Sequence, residues 1–203
     1  MATREQVAKE AARLLYNGTV KEYKDAKEVA ASSLGTRTLP SNYEVAVELD
    51  RIVEEREGSD RLTMLIEMRE IAQQIMEKLK EYTPVLIGSV WRGTPRQSSD
   101  IDIVVYHRDP DEVVEKLKDY QLTEKEPKEF TLGGLPRTST HIKIQVKKHI
   151  VEIVVRPPRD REYYRKERCE TYGDLKKGLR LRELERLIQT DPLRRFIPKR
   201  RNR

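Results

Sequence analysis

Two aspartates at the start of an apolar, β-branched run are the feature that most constrains this chain. They occupy alternate positions in the stretch Ser99-Asp100-Ile101-Asp102-Ile103-Val104-Val105. Because successive side chains of a strand point to opposite faces, Asp100 and Asp102 share one face while the isoleucines occupy the other. A strand built only for stability rarely carries two neighbouring like charges in this way. We therefore expect a strand with one face in the core and two carboxylates directed at a common site.

A short apolar stretch before the aspartates ends in Gly88 and Ser89. A divalent cation would remove the repulsion between the two carboxylates, and carboxylates together with substrate phosphates are the usual ligands of Mg²⁺ in phosphoryl-transfer sites. Gly88 lets the backbone come close to a triphosphate. Ser89 adds a hydroxyl and an amide at the start of the next turn or helix, where amides attract phosphate. Together these residues favour a site for a metal-nucleotide.

The combined pattern resembles that of the nucleotidyltransferases of the DNA polymerase beta superfamily, especially the small stand-alone, archaeal-type members. Those proteins have a strand, Gly-Ser, an Arg-Gly, a loop and then Ser-Asp-hydrophobic-Asp. This chain has Gly88-Ser89-Val90-Trp91-Arg92-Gly93 followed by Ser99-Asp100-Ile101-Asp102. The resemblance covers residues 83–156. It implies an α+β fold in which a small mixed β-sheet forms the nucleotidyltransferase core.

The resemblance also implies a third carboxylate on a later strand, and Glu152 is the candidate because it lies alone in a β-branched run. Aspartate is the commoner residue there, and glutamate is one methylene longer. The implied catalytic and metal-binding residues are Asp100, Asp102 and Glu152, with two Mg²⁺ ions, or Mn²⁺ in their place. The implied nucleotide-binding residues are Gly88, Ser89, Arg92 and Ser99, of which the resemblance assigns Gly88 and Ser89 to the β- and γ-phosphates.

Each candidate residue also has a purely structural interpretation. The two aspartates would suit an exposed strand of alternating polarity, and Glu152 would suit a half-buried strand with its polar face in solvent. Ser89 could cap a helix, and Arg92 could be a surface arginine or a partner of Asp100 rather than a phosphate ligand. Trp91 is better explained by packing than by base stacking.

Three regions are expected along the chain. Residues 1–82 form an N-terminal helical region, with helices over 3–17, 20–34, 42–58 and 60–82 and a capping box formed by Ser41 and Glu44. Residues 83–156 form the core, with strands over 85–89, 101–106, 141–146 and 149–155, a helix after Pro110 and a tight turn near Lys147. Residues 157–203 form a C-terminal helical region up to residue 189, followed by a mobile basic tail from residue 194.

The basic excess of the chain lies entirely at its C-terminal end. Residues 156–203 carry 17 basic and 8 acidic side chains, whereas residues 1–82 carry 13 and 16 and residues 83–155 carry 11 of each. A basic surface with interspersed tyrosines would bind RNA phosphates and stack bases, and a solvated helix with a solubility tail would have the same composition. Without an apolar run of membrane-spanning length or a signal-peptide core, we expect a cytoplasmic protein that does not bind membranes.

The function favoured by these features is metal-dependent transfer of a nucleoside monophosphate from a nucleoside triphosphate, such as ATP, to a hydroxyl acceptor, with release of pyrophosphate. RNA, for example tRNA, is favoured as the acceptor over a small molecule or a protein. Two alternatives stay open: a nucleotide- or RNA-binding module without turnover, and the nucleotidyltransferase of a toxin-antitoxin pair. The N-terminal helices could bind a protein partner, hold the acceptor, form a homo-oligomer or brace the sheet.

Overall fold

A computed structural model describes residues 2–164 and 166–198. Its helices are α1 (Arg4–Tyr16), α2 (Tyr23–Ser33), α3 (Asn42–Lys78), α4 (Gly88–Arg92), α5 (Pro110–Lys116), α6 (Arg161–Tyr164) and α7 (Leu181–Thr190). Its strands are β1 (Val85–Ile87), β2 (Ile101–Tyr106), β3 (Gln121–Leu132), β4 (Leu135–Val146), β5 (His149–Arg156) and β6 (Leu179–Arg180). Short 3₁₀ turns cover Lys80–Tyr82 and Pro158–Asp160. The chain is thus α+β, with helices on either side of the strands in sequence.

Two compact units make up the chain, and the first comprises residues 1–61 with 168–174. Its core is built from small and aliphatic side chains of α1, α2 and the beginning of α3, among them Val7, Ala11 and Ala30. Thr3 caps α1 through a capping box, and Ser41 and Glu44 exchange hydrogen bonds at the start of α3. These helix starts confirm the sequence predictions. Gly58, with φ 51° and ψ −132°, interrupts α3 where two separate helices were predicted to meet.

The second unit comprises residues 62–167 with 175–203 and contains one six-stranded sheet in its described part. The strand order is β3-β4-β5-β2-β1-β6. Strands β2 and β5 are parallel and all the other neighbours are antiparallel, so the sheet is mixed as the resemblance implies. One face of the sheet, with Ile101, Ile103 and Ile153, packs in the same core as Met68 and Ile75 of α3.

A smaller apolar cluster lies on the opposite face of the central strands. It joins Val104 and Tyr106 of β2 to Val154 of β5 and Tyr164 of α6, with Val85 and Ile87 of β1 beside them. Because Asp102 alternates with Ile101 and Ile103, its side chain belongs to this second face. The apolar cluster and the predicted site therefore lie next to each other on the same face of the sheet.

Several predicted elements differ from the observed ones. Strand β1 ends at Ile87, and Gly88 and Ser89 open α4 instead of completing the strand. Strand β3 was not predicted, and β4 begins at Leu135 rather than near residue 141. The predicted strand 101–106, the helix after Pro110 and the hairpin turn between β4 and β5 are confirmed.

The C-terminal region is less helical than expected. Between α6 and α7 the described residues form turns, and glycines at positive φ occur at Gly173 and Gly178, a conformation that ends a helix. Of the tail predicted to be mobile, residues 194–198 are described, and Phe196 donates its backbone N–H to the carbonyl of Arg92. Residues 199–203 of that tail lie outside the described part, and the three-region division 1–82, 83–156 and 157–203 stays a prediction. None of the described helices combines the length and apolarity that crossing a membrane requires.

Candidate active site

The parallel pairing of β2 with β5 brings the second and third acidic residues together. Asp102 and Glu152 are partners in the register of the two strands, and Asp100 lies just before β2. All three carboxyls interact electrostatically: Glu152 acts on both aspartates, and Asp100 acts on Asp102. The structure therefore assembles on one sheet face the three residues that the sequence nominated.

The backbone at Gly88 lies directly against the Asp102 side chain. Gly88 has φ +69°, a conformation that favours glycine, and a Cβ atom built there would stand 2.1 Å from Oδ2 of Asp102. Register explains this contact, because Ile87 at the end of β1 pairs with Asp102. A larger residue at position 88 would displace the carboxylate. The Gly-Ser turn and the acidic pair are thus parts of one site.

Burial and repulsion between like charges both perturb the acids. Burial is the main cause that raises the pKa of Asp102 to about 8, and the neighbouring carboxyls of Glu152 and Asp100 raise it further. Burial likewise raises the pKa of Asp100 above its usual range, although the ammonium group of Lys143 opposes this. Asp102 is therefore the member of the cluster that retains a proton near neutral pH.

Glu152 behaves in the opposite way because it has a cationic neighbourhood. The hydrogen bond with His141 is the main cause that lowers the pKa of Glu152, and Lys128 and Lys143 lower it further. His141 Nδ1 lies 3.0 Å from Oε1 of Glu152, and His141 Nε2 lies 3.1 Å from the hydroxyl of Ser139. Glu152 is accordingly the ionised acid of the cluster, and side chains of β3 and β4 surround its carboxylate.

Sequence reasoning missed His141 and Lys143 as part of the site. The signal was available, because the tight turn after Val146 fixes the register of the β4–β5 hairpin. In that register Lys143 lies opposite Glu152, and His141 lies two residues further along the same face. A basic pair on β4 beside the third acid could have been read from the turn alone.

The predicted nucleotide-binding residues have different surroundings. Ser89 is half-buried in the first turn of α4, next to Gly88, and the hydroxyl of Ser99 accepts a hydrogen bond from the backbone N–H of Arg96. Arg92 is only 4% exposed, and its guanidinium donates to the carbonyl of Phe196 and stacks on the Trp91 ring. Arg92 therefore holds the C-terminal segment against α4. The nucleotide contacts of these residues stay predictions.

A second buried arginine, which the sequence analysis did not identify, forms hydrogen bonds with the backbone of α4. Arg69 of α3 is fully buried and donates to the carbonyls of Val90 and Trp91 at 3.2 and 3.1 Å. It also donates to the carbonyls of Pro192 and Arg194. One guanidinium thus ties α3, α4 and the C-terminal segment together, and it fixes the helix that follows Gly88.

The acidic cluster suits a hard divalent cation in its chemistry. Its three side chains are carboxylates, two of them have pKa values raised by burial and by each other, and a bound cation would relieve that repulsion. As the side chains stand, no three His, Cys, Asp or Glu residues in the described part of the chain are grouped to hold a metal ion. At this site the carboxylate of Glu152 is engaged by His141. Glu152 also forms a hydrogen bond with Asp102, so the carboxyls of these two residues already meet at the site.

The fold and this site define an α+β protein with a carboxylate cluster on a mixed sheet. Residues 70–172 match the model of a family described as Domain of unknown function (DUF4269). Because that match spans half of the chain, the protein belongs to this family. No curated protein matches the chain.

Several solved structures resemble part of this chain. The Cid1 poly(U) polymerase with MgGTP bound is 18% identical over 45% of this chain, with a TM-score of 0.30. A non-canonical poly(A) polymerase complex, GLD-2 with GLD-3, is 13% identical over 57%, with a TM-score of 0.33. A cytoplasmic RNA terminal U-transferase is 16% identical over 56%, with a TM-score of 0.28. This chain spans 32%, 40% and 36% of the length of these three proteins, respectively.

Proposed function

We propose that this protein transfers a nucleoside monophosphate from a nucleoside triphosphate to a hydroxyl acceptor and releases pyrophosphate. The observation that carries the proposal is the assembly of Asp100, Asp102 and Glu152 on one sheet face, with the backbone of Gly88 against Asp102. Such a cluster costs the fold stability, because two of its members are held where their charge is unfavourable. A bound metal-nucleotide would compensate that cost.

The three acids are the residues that would hold Mg²⁺, which neutralises phosphate charge and orients the triphosphate when bound. Gly88 lets the backbone lie directly against the Asp102 carboxylate, where any side chain would collide, and would bring that backbone close to the triphosphate. Glu152 is kept ionised by His141, so it can accept the proton of the acceptor hydroxyl. The hydroxyl oxygen then bonds to the α-phosphorus, the bond to the β-phosphate oxygen breaks, and pyrophosphate leaves.

RNA is the acceptor that we propose, on the basis of charge. Residues 156–203 carry a net charge of +9, whereas residues 83–155 are neutral overall. A basic region beside an acidic site would attract a polyanionic acceptor in a manner that depends on salt. The part of this region from residue 199 onward lies outside the described residues, so its contribution rests on sequence alone.

The test compares the wild type with the Asp100→Asn/Asp102→Asn variant. Each protein is incubated with Mg²⁺ and one α-phosphate-labelled nucleoside triphosphate at a time, against separated RNA, protein and small-molecule fractions of a cell extract. We expect label in RNA with the wild type and at least a ~100-fold loss with the variant, since even indirect changes at metal sites cost about 10–100-fold. An Asp111→Asn/Asp119→Asn variant, which removes the same charge from two exposed positions, should match the wild type.

The outcomes separate the competing functions. Label in the small-molecule or protein fraction would support nucleotidyl transfer but show that RNA is not the acceptor. Transfer by the Asp100→Asn/Asp102→Asn variant at the wild-type rate would overturn the site. Mg²⁺-dependent nucleotide binding without transfer to any fraction would indicate a nucleotide-binding module without catalytic turnover.

A further inference from the structure

A cavity of about 650 Å³ opens on the same sheet face as the acidic cluster, beyond its apolar neighbours. Its apolar wall is formed by Pro84 and Val85 at the start of β1, Tyr106 at the end of β2, Tyr164 of α6 and Leu181 of α7. Cavities of this size accommodate small organic ligands, and such sites combine apolar walls with a few placed polar groups. This cavity has the dimensions and the wall of a ligand site, and none of the proposed catalytic or nucleotide-binding residues lines it.

The position of the cavity relative to the acids follows from β2. Asp102, Val104 and Tyr106 alternate along that strand on one face, and Tyr106 lies four residues beyond Asp102. At about 3.3 Å per residue, the cavity wall is roughly 13 Å from the acid. Asp102 acts electrostatically on Tyr164 in the cavity wall. The pKa of Tyr164 is raised mainly by burial and, to a smaller extent, by Asp102. The cavity is thus a neighbour of the acidic site and does not include it.

The rim of the cavity is strongly basic. Five cationic side chains line it, namely Lys80, Arg161, Lys177, Arg180 and Arg182, against three glutamates. One of those glutamates, Glu77, is paired with Lys80 at 2.7 Å, and Glu183 accepts the backbone N–H of Arg180. In the described part of the chain, no hydrogen bond or ion pair involves the side chains of Arg161, Lys177 or Arg182. Three cations around one apolar cavity are therefore available to a ligand.

We propose that this cavity binds a nucleotide, with the base against the wall of Tyr106 and Tyr164 and the phosphate at Arg161, Lys177 and Arg182. A nucleotide has the required chemistry, since it combines a flat apolar ring with a phosphate that arginines bind through charge-assisted hydrogen bonds. The nucleotide is either a free mononucleotide or the terminal nucleotide of an RNA strand. The RNA source rests on the proposed function, whereas the binding site itself does not.

The test measures binding in EDTA, where the acidic cluster holds no metal. Equilibrium dialysis with AMP and UMP is compared with adenosine, which lacks the phosphate, and with inorganic phosphate, which lacks the ring. We expect both mononucleotides to bind, and each fragment to bind at least about tenfold more weakly. The Arg161→Gln/Lys177→Gln variant should bind the mononucleotides about tenfold more weakly than the wild type, because each lost charged hydrogen bond is worth several-fold in affinity.

Two control variants decide what a loss of binding means. Lys166→Gln/Arg186→Gln removes the same charge outside the cavity and should bind as the wild type does. The Asp100→Asn/Asp102→Asn variant should bind mononucleotides in the cavity as the wild type does. This expectation holds whatever that variant shows about nucleotidyl transfer. Unchanged affinity in Arg161→Gln/Lys177→Gln would overturn the cavity site, as would loss of binding in the aspartate variant. Competition by a short RNA with a free 3′-hydroxyl identifies the strand as the source, and lack of competition identifies the free nucleotide.

Discussion

Replacing Gly88 by alanine tests the contact on which the candidate site depends. The new Cβ would lie 2.1 Å from Oδ2 and 3.0 Å from Cγ of Asp102, at a backbone φ of +69°. The left-handed conformation costs a non-glycine residue about 1–2 kcal/mol, and displacing the carboxylate adds an overpacking cost of about 1–3 kcal/mol. We expect a total loss of roughly 2–5 kcal/mol in the free energy of unfolding, measured by urea denaturation. Trp91, the only tryptophan, lies three residues away and reports the transition by its fluorescence.

Gly134→Ala provides the matched control. Gly134 has φ +77°, and a Cβ atom there would meet nothing within 4 Å, so this variant should lose only the ~1–2 kcal/mol of backbone strain. In an Asp102→Ala background the carboxylate is gone, and Gly88→Ala should then cost no more than Gly134→Ala. Equal losses in the two single variants would refute the reasoning, as would an excess cost at Gly88 that persists without the Asp102 carboxylate.

Two further predictions concern buried charged groups. Because the pKa of Asp102 is about 8 in the folded protein and 3.8 ordinarily, its contribution to stability is fully present below pH 4 and is lost as the pH rises through 8. In EDTA, Asp102→Asn should therefore gain about 4 kcal/mol relative to the wild type between pH 5 and pH 9 in urea denaturation. No change in the difference would contradict the raised pKa. Arg69→Met should cost about 3–5 kcal/mol, because it removes the guanidinium that donates to the carbonyls of Val90, Trp91, Pro192 and Arg194. The same substitution at exposed Arg186 should cost less than about 0.5 kcal/mol, and comparable losses at the two positions would show that the buried hydrogen bonds of Arg69 contribute little.

The sequence predicted the parts of the site that depend on alternation within one strand. Asp100 and Asp102 fall on one face because of the period of two, whichever strands surround them. The face of Glu152 depends on how β5 pairs with β2, and a slip of one residue would turn its side chain to the core. The observed pairing of Asp102 with Glu152 is therefore information that only the fold supplies.

Strand β3 escaped prediction because its residues carry no apolar alternation. Most residues of the stretch from Gln121 to Leu132 are polar, and it includes Pro127. This composition suits its place at the edge of the sheet, where one side of the strand faces solvent and proline is tolerated. The long pairing with β4 holds β3 in place, and such a tertiary interaction leaves no local signal in the strand itself.

The C-terminal region was predicted as helix because its leucines recur at helical spacing, and close backbone packing overrides that pattern. Gly178 has φ +64°, and a Cβ atom there would stand 2.5 Å from the carbonyl oxygen of Leu86. The chain is therefore pressed against β1 at this point, and Leu179 pairs with Leu86 as part of β6. Helix α7 begins only after this pairing, where Leu184 and Leu187 can both be buried. Periodicity indicates which residues a helix would bury, but it carries no information about contact with a distant backbone.

The energetics of the acidic face favour a role for it beyond support of the fold. Apolar residues at positions 102 and 152 would extend the cluster of Val104 and Val154, and they would remove a buried carboxyl with a raised pKa. The chain instead keeps three acids there, together with a glycine at position 88, where a Cβ atom would collide with the Asp102 carboxylate. The buried acids cost stability, and the glycine restricts the sequence. Under the proposed function, a bound divalent cation would offset this cost, because it would convert the repulsion between the acids into binding energy.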